Sequence, residues 1–525
     1  MMRRSLVFGF SLLSLVFGLA ACGEAELVEG SESNSGGDSS ASNPTPISDV
    51  APVASGLRIS KVTMLQTVNL AIMEDHREVN NRPAPVVAGK DAIMRVYVSP
   101  DSSFQARDIV ARLSLQTAGS EIPDEEISMN VRGSSSDDAG GSTFNFMIES
   151  RLMTGSLNYS IQLFEASADA DFGSPNPEAT WPAEGKVRVG EDSPQTLKVV
   201  LVPVQYSADG SGREPDTSAT QVQIYKDMFE ALYPTSNIEL TVRETVNWTS
   251  EISAFGQGWG DLLSGLQNLR YQDNADDQAY YYGVFSPATS YYNYCNRGCV
   301  AGLSTLATDY RYPSMRTSIG LGYSGEEAAD TMVHEVGHAH GREHAPCGLG
   351  GQSSDNGYPN TNANLDQWGF DMRSTDLLSP SAYKDMMSYC SPIWISAYTY
   401  NGLYNRMSNV NTMSYVVNAE EVHEEGSRNA DTWLSVVVEP TGEVKWGYPI
   451  AAPNVPDLNV ERKSAHLIGE DGTRVGKVEG IYMPFGHGEG GILSFPPVVD
   501  FGVEAIEFQK TTLLLEEAPR AAFID

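Results

Sequence analysis

The pattern of apolar and polar positions divides the chain into regions with different periodicities. In residues 56–195, short runs that partly alternate apolar and polar side chains are separated by clusters of Gly, Ser and Asp. Alternation of this kind is typical of half-buried β-strands. We therefore predict an N-terminal β-sandwich domain with an immunoglobulin-like arrangement, with strands at 68–73, 92–98, 109–116, 143–149 and 159–164.

Residues 196–415 follow a different pattern, in which apolar strand runs alternate with runs of helical spacing. Ser324 and Glu327 have the spacing of a capping box, which predicts a helix over 325–340 with Ser324 as its N-cap. This alternation indicates a domain of mixed α and β structure. Its other predicted elements are strands at 197–204, 238–243, 279–285 and 316–323 and helices at 218–233 and 259–269.

The last region, residues 416–525, is predicted to be a small β domain. Strands are expected at 433–438, 476–483 and 512–515, with a hairpin turn at Asp471-Gly472. His487 lies here in a glycine-rich stretch. We interpret that stretch as a flexible loop, and a lone histidine in it is not a metal-binding motif.

The N-terminal end has the features of an export signal. Residues 1–22 combine a short basic segment, an apolar segment too short for a comfortable membrane span, and a small-residue site before Cys22. This resembles a bacterial lipobox, which implies lipidation at Cys22. The alternative is an ordinary secretory signal with an incidental cysteine. Residues 23–55 are rich in Ser, Gly, Asn and Pro and are predicted to form a disordered tether.

Composition narrows the partners and the compartment. The formal net charge of −34 argues against nucleic acid and anionic lipid surfaces as partners. If Cys22 carries lipid, four of the five cysteines remain, and two disulfides are expected in an exported protein. Four cysteines allow three pairings.

The strongest chemical pattern is His-Glu-x-x-His-x-x-Gly-x-x-His over residues 334–344. His334 and His338 lie four residues apart on a predicted helix, so they can direct imidazole nitrogens at one zinc ion. Gly341 is suited to end the helix, after which His344 supplies a third ligand and leaves the fourth position open. Glu335 is placed to act as general base on water. His340 faces away and is expected to be solvated or hydrogen-bonded.

This extended motif resembles the metzincin clan of zinc metallopeptidases, over roughly residues 197–415. Met387 and Tyr389 in Met386-Met387-Ser388-Tyr389 match the methionine turn of that clan. The resemblance implies an α+β catalytic domain with a mixed sheet and a zinc helix. The strand patterns on either side of it add flanking β-sandwich-like domains. It also implies that Met387 forms an apolar floor, that Tyr389 assists catalysis, and that 318–322 is a candidate edge strand for substrate, the alternative being an interior strand.

The turn also favours one cysteine pairing. Cys347 with Cys390 would join the segment after His344 to the methionine turn, which leaves Cys295 with Cys299. The Asn- and Asp-rich segment 355–366 makes a calcium site possible, although its spacing matches no EF-hand.

We therefore expect an exported zinc endopeptidase that uses Glu335 and metal-activated water on extracellular proteins. A lipid anchor would hold it at the bacterial outer membrane or cell surface, with release from the cell as an alternative. Two other functions stay open. One is a protease specific for mucin-like O-glycoproteins, and the other is a non-catalytic binding lipoprotein with a protease fold.

Overall fold

The computed structural model describes residues 51–351, 353–413, 432–453, 457–498 and 502–519. The predicted signal segment, tether and Cys22 lie outside these residues. The described part is mostly β structure with a small number of helices. None of its helices is long and apolar enough to cross a membrane.

Two antiparallel sheets form the N-terminal region and bury their apolar faces in a shared core. One sheet has the order β3-β2-β1-β4-β8, and the other is built on β10-β9-β5-β6 with β7 beside β5 and β11 beside β9. The five strands predicted in this region are present. In chain order the strands are β1 (Leu57–Leu65), β2 (Asn69–Glu74), β3 (Arg77–Glu78), β4 (Ala92–Pro100), β5 (Arg107–Thr117), β6 (Ser120–Glu121), β7 (Glu125–Val131), β8 (Phe144–Ile148), β9 (Asn158–Glu165), β10 (Thr180–Trp181) and β11 (Val187–Arg188).

A mixed sheet of order β13-β12-β15-β17-β16 forms the centre of the chain, with β14 also paired to β12. All its pairings are parallel except that of β16 with β17. The elements are β12 (Thr196–Tyr206), α1 (Ala219–Leu232), β13 (Asn237–Val242), β14 (Val246–Trp248), α2 (Trp259–Gln272), β15 (Tyr280–Phe285), α3 (Tyr291–Cys295), β16 (Gly302–Ser304), β17 (Thr317–Leu321) and α4 (Glu326–Ala339).

The structure corrects two predictions about this sheet and its last helix. Residues 318–321 of the predicted edge segment lie in β17, which is an interior strand, and the edge position belongs to β16. The N-cap of α4 is Gly325 rather than Ser324, whose hydroxyl donates instead to Asp216 Oδ2 at 2.5 Å. Gly325 has a φ of 116°, a conformation that glycine adopts without strain.

Loops and short strands follow α4, and a seven-stranded antiparallel sheet completes the chain with the order β23-β22-β26-β25-β24-β27-β28. This sheet shares a hydrophobic core with α2, through residues such as Leu262, Val437 and Ile481. The remaining elements are β18 (Gly369–Asp371), β19 (Asp376–Leu378), β20 (Lys384–Asp385), β21 (Ile393–Trp394), α5 (Ala397–Thr412), β22 (Thr432–Val438), β23 (Val444–Ala451), β24 (Glu461–Gly469), β25 (Arg474–Pro484), β26 (Gly491–Phe495), β27 (Val503–Phe508) and β28 (Thr511–Leu514).

Candidate functional site

Helix α4 carries two of the predicted metal ligands on one face. His334 and His338 lie one turn apart, and both are buried. The helix ends at Ala339, and Gly341 then takes a φ of 80°, which reverses the chain direction. The reversal brings His344, also buried, back against His338 with 4.6 Å between the ring centres.

The Nε2 atoms of these three histidines converge. His338 Nε2 lies 3.2 Å from His334 Nε2 and 3.2 Å from His344 Nε2. For a tetrahedral zinc ion with Zn–N distances of 2.0–2.1 Å, two ligand nitrogens are separated by about 3.3–3.4 Å. The spacing of the nitrogens therefore fits three ligands of one tetrahedral metal ion.

Hydrogen bonds on the far side of the rings orient two of the histidines. His334 Nδ1 lies 2.7 Å from the Met386 carbonyl oxygen, and His338 Nδ1 lies 2.6 Å from the Arg342 carbonyl oxygen. A carbonyl accepts only, so each Nδ1 carries the proton and each Nε2 presents a lone pair to the common point.

Burial keeps the imidazoles neutral. Burial lowers the pKa of His334 to about 4 and that of His344 to about 2, and the pKa of His338 is held well below its ordinary value by burial and by the two other histidines. Neutral imidazoles with converging lone pairs repel one another unless they share a cation. The donor set is thus chemically suited to a divalent metal ion.

The two adjacent methionines have different contacts. Met386 supplies the carbonyl that holds His334. The Met387 sulfur packs beneath α4, where a Cβ on Gly337 would lie only 2.6 Å from it. Asp385, fully buried, accepts a hydrogen bond from Met387 N–H at 2.9 Å. Met387 therefore lies under the helix that carries the histidines and is not among the side chains that surround the metal position.

The structure contains the cysteine pairs that the sequence favoured, Cys295 with Cys299 and Cys347 with Cys390. Backbone hydrogen bonds join the same two segments as the second pair. Ala345 N–H donates to Met387 O at 2.9 Å, and Tyr389 N–H donates to the Cys347 carbonyl at 3.0 Å. The loop after His344 is consequently attached to the methionine turn by both covalent and hydrogen bonds.

His487 lies in the loop between β25 and β26, as predicted, but it reaches the site, where sequence reasoning assigned it no function. Its Nε2 lies 2.6 Å from Glu335 Oε1, and its Nδ1 is hydrogen-bonded to the Tyr389 hydroxyl. It belongs, with His334, His338 and His344, to a group whose ligand atoms lie within 4.8 Å of one another. Tyr389 itself is 43% exposed, so its ring forms part of the site's open side.

The segment that carries His487 is anchored at several points. Gly486 N–H donates to Ser304 O at 2.9 Å, and Leu306 N–H donates to Pro484 O at 2.8 Å. A Cβ on Gly486 would lie 2.5 Å from the His338 ring, so only glycine fits this contact. A histidine between two glycines directly after a buried strand was the available signal in the sequence. This signal does not form part of a spaced metal-binding motif, because Glu335, the partner of His487, is 152 residues away.

Glu335 is buried beside the histidines. Its Oε1 contacts His487, while no hydrogen-bond partner reaches Oε2 among the residues that the structure describes. The edge strand β16 passes close to this carboxylate, where a Cβ on Gly302 would lie 2.3 Å from Oε1. The edge of the sheet and the carboxylate thus meet directly at the site.

A cleft of about 510 Å³ opens over these groups. One wall is the edge segment 299–302, a second is the face of α4, and a third is the segment after the methionine turn. The lining combines apolar and polar side chains and includes His334, Glu335, Tyr389 and His487.

Two other predictions concern residues outside the cleft. His340 is buried, its Nδ1 lies 2.8 Å from Val336 O, and its ring stacks on Tyr280 at 4.1 Å, so it is hydrogen-bonded and not part of the histidine group. In the proposed calcium segment, Asp355 contacts Arg342 and Tyr398, and Asp366 accepts from Ala397 N–H. These two carboxylates therefore already accept hydrogen bonds from protein donors.

Residues 306–392 match the family model for Peptidase M66. The matched segment contains the three histidines of the motif, Glu335 and the methionine turn. No curated protein matches the chain. The family match and the histidine group together support a metallopeptidase, a hydrolase that acts on proteins.

Three solved structures are similar to parts of the chain. Metalloproteinase-II from Bacteroides fragilis is 12% identical, with 67% of this chain and 92% of that chain covered and a TM-score of 0.22. A putative beta-galactosidase from Bacteroides fragilis is 10% identical (44% and 39% covered, TM-score 0.13), and a calcium-binding mutant of Bacteroides uniformis beta-glucuronidase 2 is 11% identical (44% and 28% covered, TM-score 0.12). These TM-scores are low, so the assignment rests on the family match and the site.

Proposed function

We propose that the protein is a zinc-dependent endopeptidase with a metzincin-like α+β catalytic domain. The observation that carries the proposal is the convergence of three neutral, buried Nε2 atoms next to the Glu335 carboxylate at the base of an open cleft. His334, His338 and His344 are the proposed metal ligands, and Met387 supports their helix from below.

Glu335 is the proposed general base. When bound, a zinc ion supplies Lewis acidity, which activates water at neutral pH and polarises the scissile carbonyl. Glu335 Oε2 has no partner in the described protein and is the oxygen that can accept a proton from the attacking water. The same carboxyl can then deliver that proton to the leaving amine.

His487 is the proposed positioning residue for this base. A carboxylate only accepts hydrogen bonds, so His487 Nε2–H donates to Glu335 Oε1 and leaves Oε2 for the proton transfer. In this tautomer His487 Nδ1 accepts from the Tyr389 hydroxyl. Tyr389 is thereby held beside the cleft, where we propose that its single O–H turns from His487 Nδ1 to donate to the developing oxyanion.

The edge strand β16 is the proposed docking site for an extended substrate. Ser304 O points away from β17, because it accepts from Gly486 N–H. Outward-pointing backbone groups recur at every second residue of such a ladder, so the N–H and C=O of Gly302 point the same way, next to Glu335. A substrate strand paired there would place its peptide bond over the catalytic groups.

Export with a lipid anchor at Cys22 is a separate proposal that rests on the sequence of residues 1–22. Membrane fractionation tests it. The native protein should partition with membranes, and a Cys22→Ala variant should not. Equal partitioning of the two would contradict lipidation at this residue.

The central experiment measures cleavage of casein by the purified protein and by Glu335→Gln, with the metal content of each. We expect one zinc ion per chain in both and a loss of turnover of about 10²–10⁴-fold in the variant, because general acid–base catalysis contributes on this scale. Equal turnover would contradict the role of Glu335. A protein that binds no zinc would contradict the proposed site as a whole.

A further inference from the structure

The cleft contains an acidic side chain that the proposed chemistry does not use. Asp330 lies on α4 four residues before His334, and both residues line the cleft. Residues four apart share one helix face, so the Asp330 carboxylate is placed one turn away from the metal position. It is half-buried.

Within the described ranges, Asp330 has no counter-ion in contact. Among the residues that the structure describes, no hydrogen bond or ion pair reaches its carboxylate. The cation that acts on it, Arg373, is already engaged by both oxygens of Asp371, at 2.9 Å and 2.8 Å. Glu326 and Glu327, in the first turn of the same helix, add negative charge.

The other residues of the cleft fit a long side chain with an apolar stem. Met386, Ile393 and Val300 provide apolar wall, and the lining within the described ranges contains no lysine or arginine. The methylene groups of lysine and arginine pack on apolar surface while the charged end seeks an anion. An unpaired, partly desolvated carboxylate supplies that anion.

We propose that Asp330 makes the cleft selective for substrates that carry lysine or arginine next to the scissile bond, at the position whose side chain enters the cleft. The inference rests on the proposed peptidase function and names its substrate class. Partial burial, and to a smaller extent the negative charge of Glu326, raises the pKa of Asp330 to about 6. At neutral pH the carboxyl group therefore remains mostly ionised. The net charge of −34 adds a general attraction for cationic peptides.

Matched peptides test the proposal. A series of internally quenched peptides, acetylated at the N-terminus, carries Arg, Lys, norleucine or Glu at one variable position. We expect kcat/KM for Arg and Lys to exceed that for norleucine by about tenfold or more, since a charge-assisted contact replaces an unpaired, half-buried charge. The acetylated ends ensure that any preference arises from a side chain. A preference that appears only in unblocked peptides would overturn the proposal in favour of a terminal ammonium group.

Two variants separate specificity from general charge. In Asp330→Asn, the ratio of basic to neutral substrate should fall to near one, and in Asp330→Lys it should invert in favour of Glu. Glu327→Gln removes an equal charge from the same helix but does not line the cleft, so it should keep the wild-type ratio. Loss of the ratio in Glu327→Gln, or its retention in Asp330→Asn, would overturn the role of Asp330.

A binding measurement distinguishes failure of this inference from failure of the proposed function. Fluorescence anisotropy with the same peptides on Glu335→Gln should show tighter binding of the basic peptides, and adding Asp330→Asn should remove the difference. Cleavage without a basic preference would leave the peptidase and refute the inference. Selective binding without cleavage by the wild type would support the inference and refute the peptidase function. Equal binding of all peptides would refute the inference.

Discussion

Replacement of His487 by alanine tests whether the C-terminal sheet takes part in catalysis. The change removes the hydrogen bond of 2.6 Å to Glu335 Oε1 and the bond to the Tyr389 hydroxyl. A hydrogen bond to a charged group contributes about 1.5–3 kcal/mol. If that energy orients Glu335 in the transition state, its loss corresponds to a decrease of about 10- to 150-fold in kcat.

The assay compares kcat and KM of wild type and His487→Ala on one peptide, with zinc content measured on the same samples. We expect kcat to fall, KM to change little and zinc to be retained, because His487 contacts the base and not the three converging nitrogens. His466→Ala is the matched control, since His466 lies in β24 of the same sheet and outside the cleft lining.

A double variant measures the coupling between the two hydrogen bonds. If His487 acts through Tyr389 as well as Glu335, Tyr389→Phe should reduce kcat less in the His487→Ala background than in the wild type. Unchanged kcat in His487→Ala would refute the positioning role. A loss of zinc in proportion to activity would also refute it and would make His487 a metal ligand.

Two further predictions concern stability. Removal of the Cys347–Cys390 pair in a double alanine variant should lower the free energy of unfolding by about 2–4 kcal/mol, because the bond closes a long loop, and a denaturant titration that shows no loss would contradict this. Asp330 has a raised pKa of about 6 in the folded protein, so its favourable contribution is present below the unfolded pKa and is lost as pH rises through about 6. Asp330→Asn should therefore raise Tm at pH 7–8, with the difference disappearing near pH 4. A lower Tm in Asp330→Asn at pH 7 would show instead that Asp330 forms a stabilising ion pair.

The three converging histidines could be predicted because they lie within one short stretch of sequence. Helix periodicity places His334 and His338 on one face, and a glycine that tolerates a positive φ returns His344 to them. His487 could not be predicted in this way. Its place depends on how β25 ends against β16, and tertiary packing of that kind leaves no periodic mark in the sequence.

The errors among the elements also have physical reasons. The strand β1 was not predicted, and its pairing shifts register at Ile59/Lys61 and at Val62/Thr63, which breaks the alternation used to recognise strands. The metzincin resemblance places the edge strand at 318–322, and the true edge strand β16, with only three residues, is too short to be recognised from a sequence pattern. Chain order does not reveal that β16 lies outside β17, since an antiparallel strand can return to the edge after a loop.

The contacts of the C-terminal sheet with α2 explain how a residue so distant in sequence can be held near Glu335. Glu439, fully buried, accepts hydrogen bonds from Gly260 N–H at 2.7 Å and Asp261 N–H at 3.3 Å, at the start of α2. Lys445 pairs with Glu439 at 2.8 Å, so the buried carboxylate is both hydrogen-bonded and neutralised. Helix α2 in turn packs on the central sheet. The C-terminal sheet is therefore attached to the central sheet at two places, through α2 and through the 484–486 segment. Two separated attachments restrict rotation as well as translation, and this restraint is what the proposed positioning of Glu335 by His487 requires.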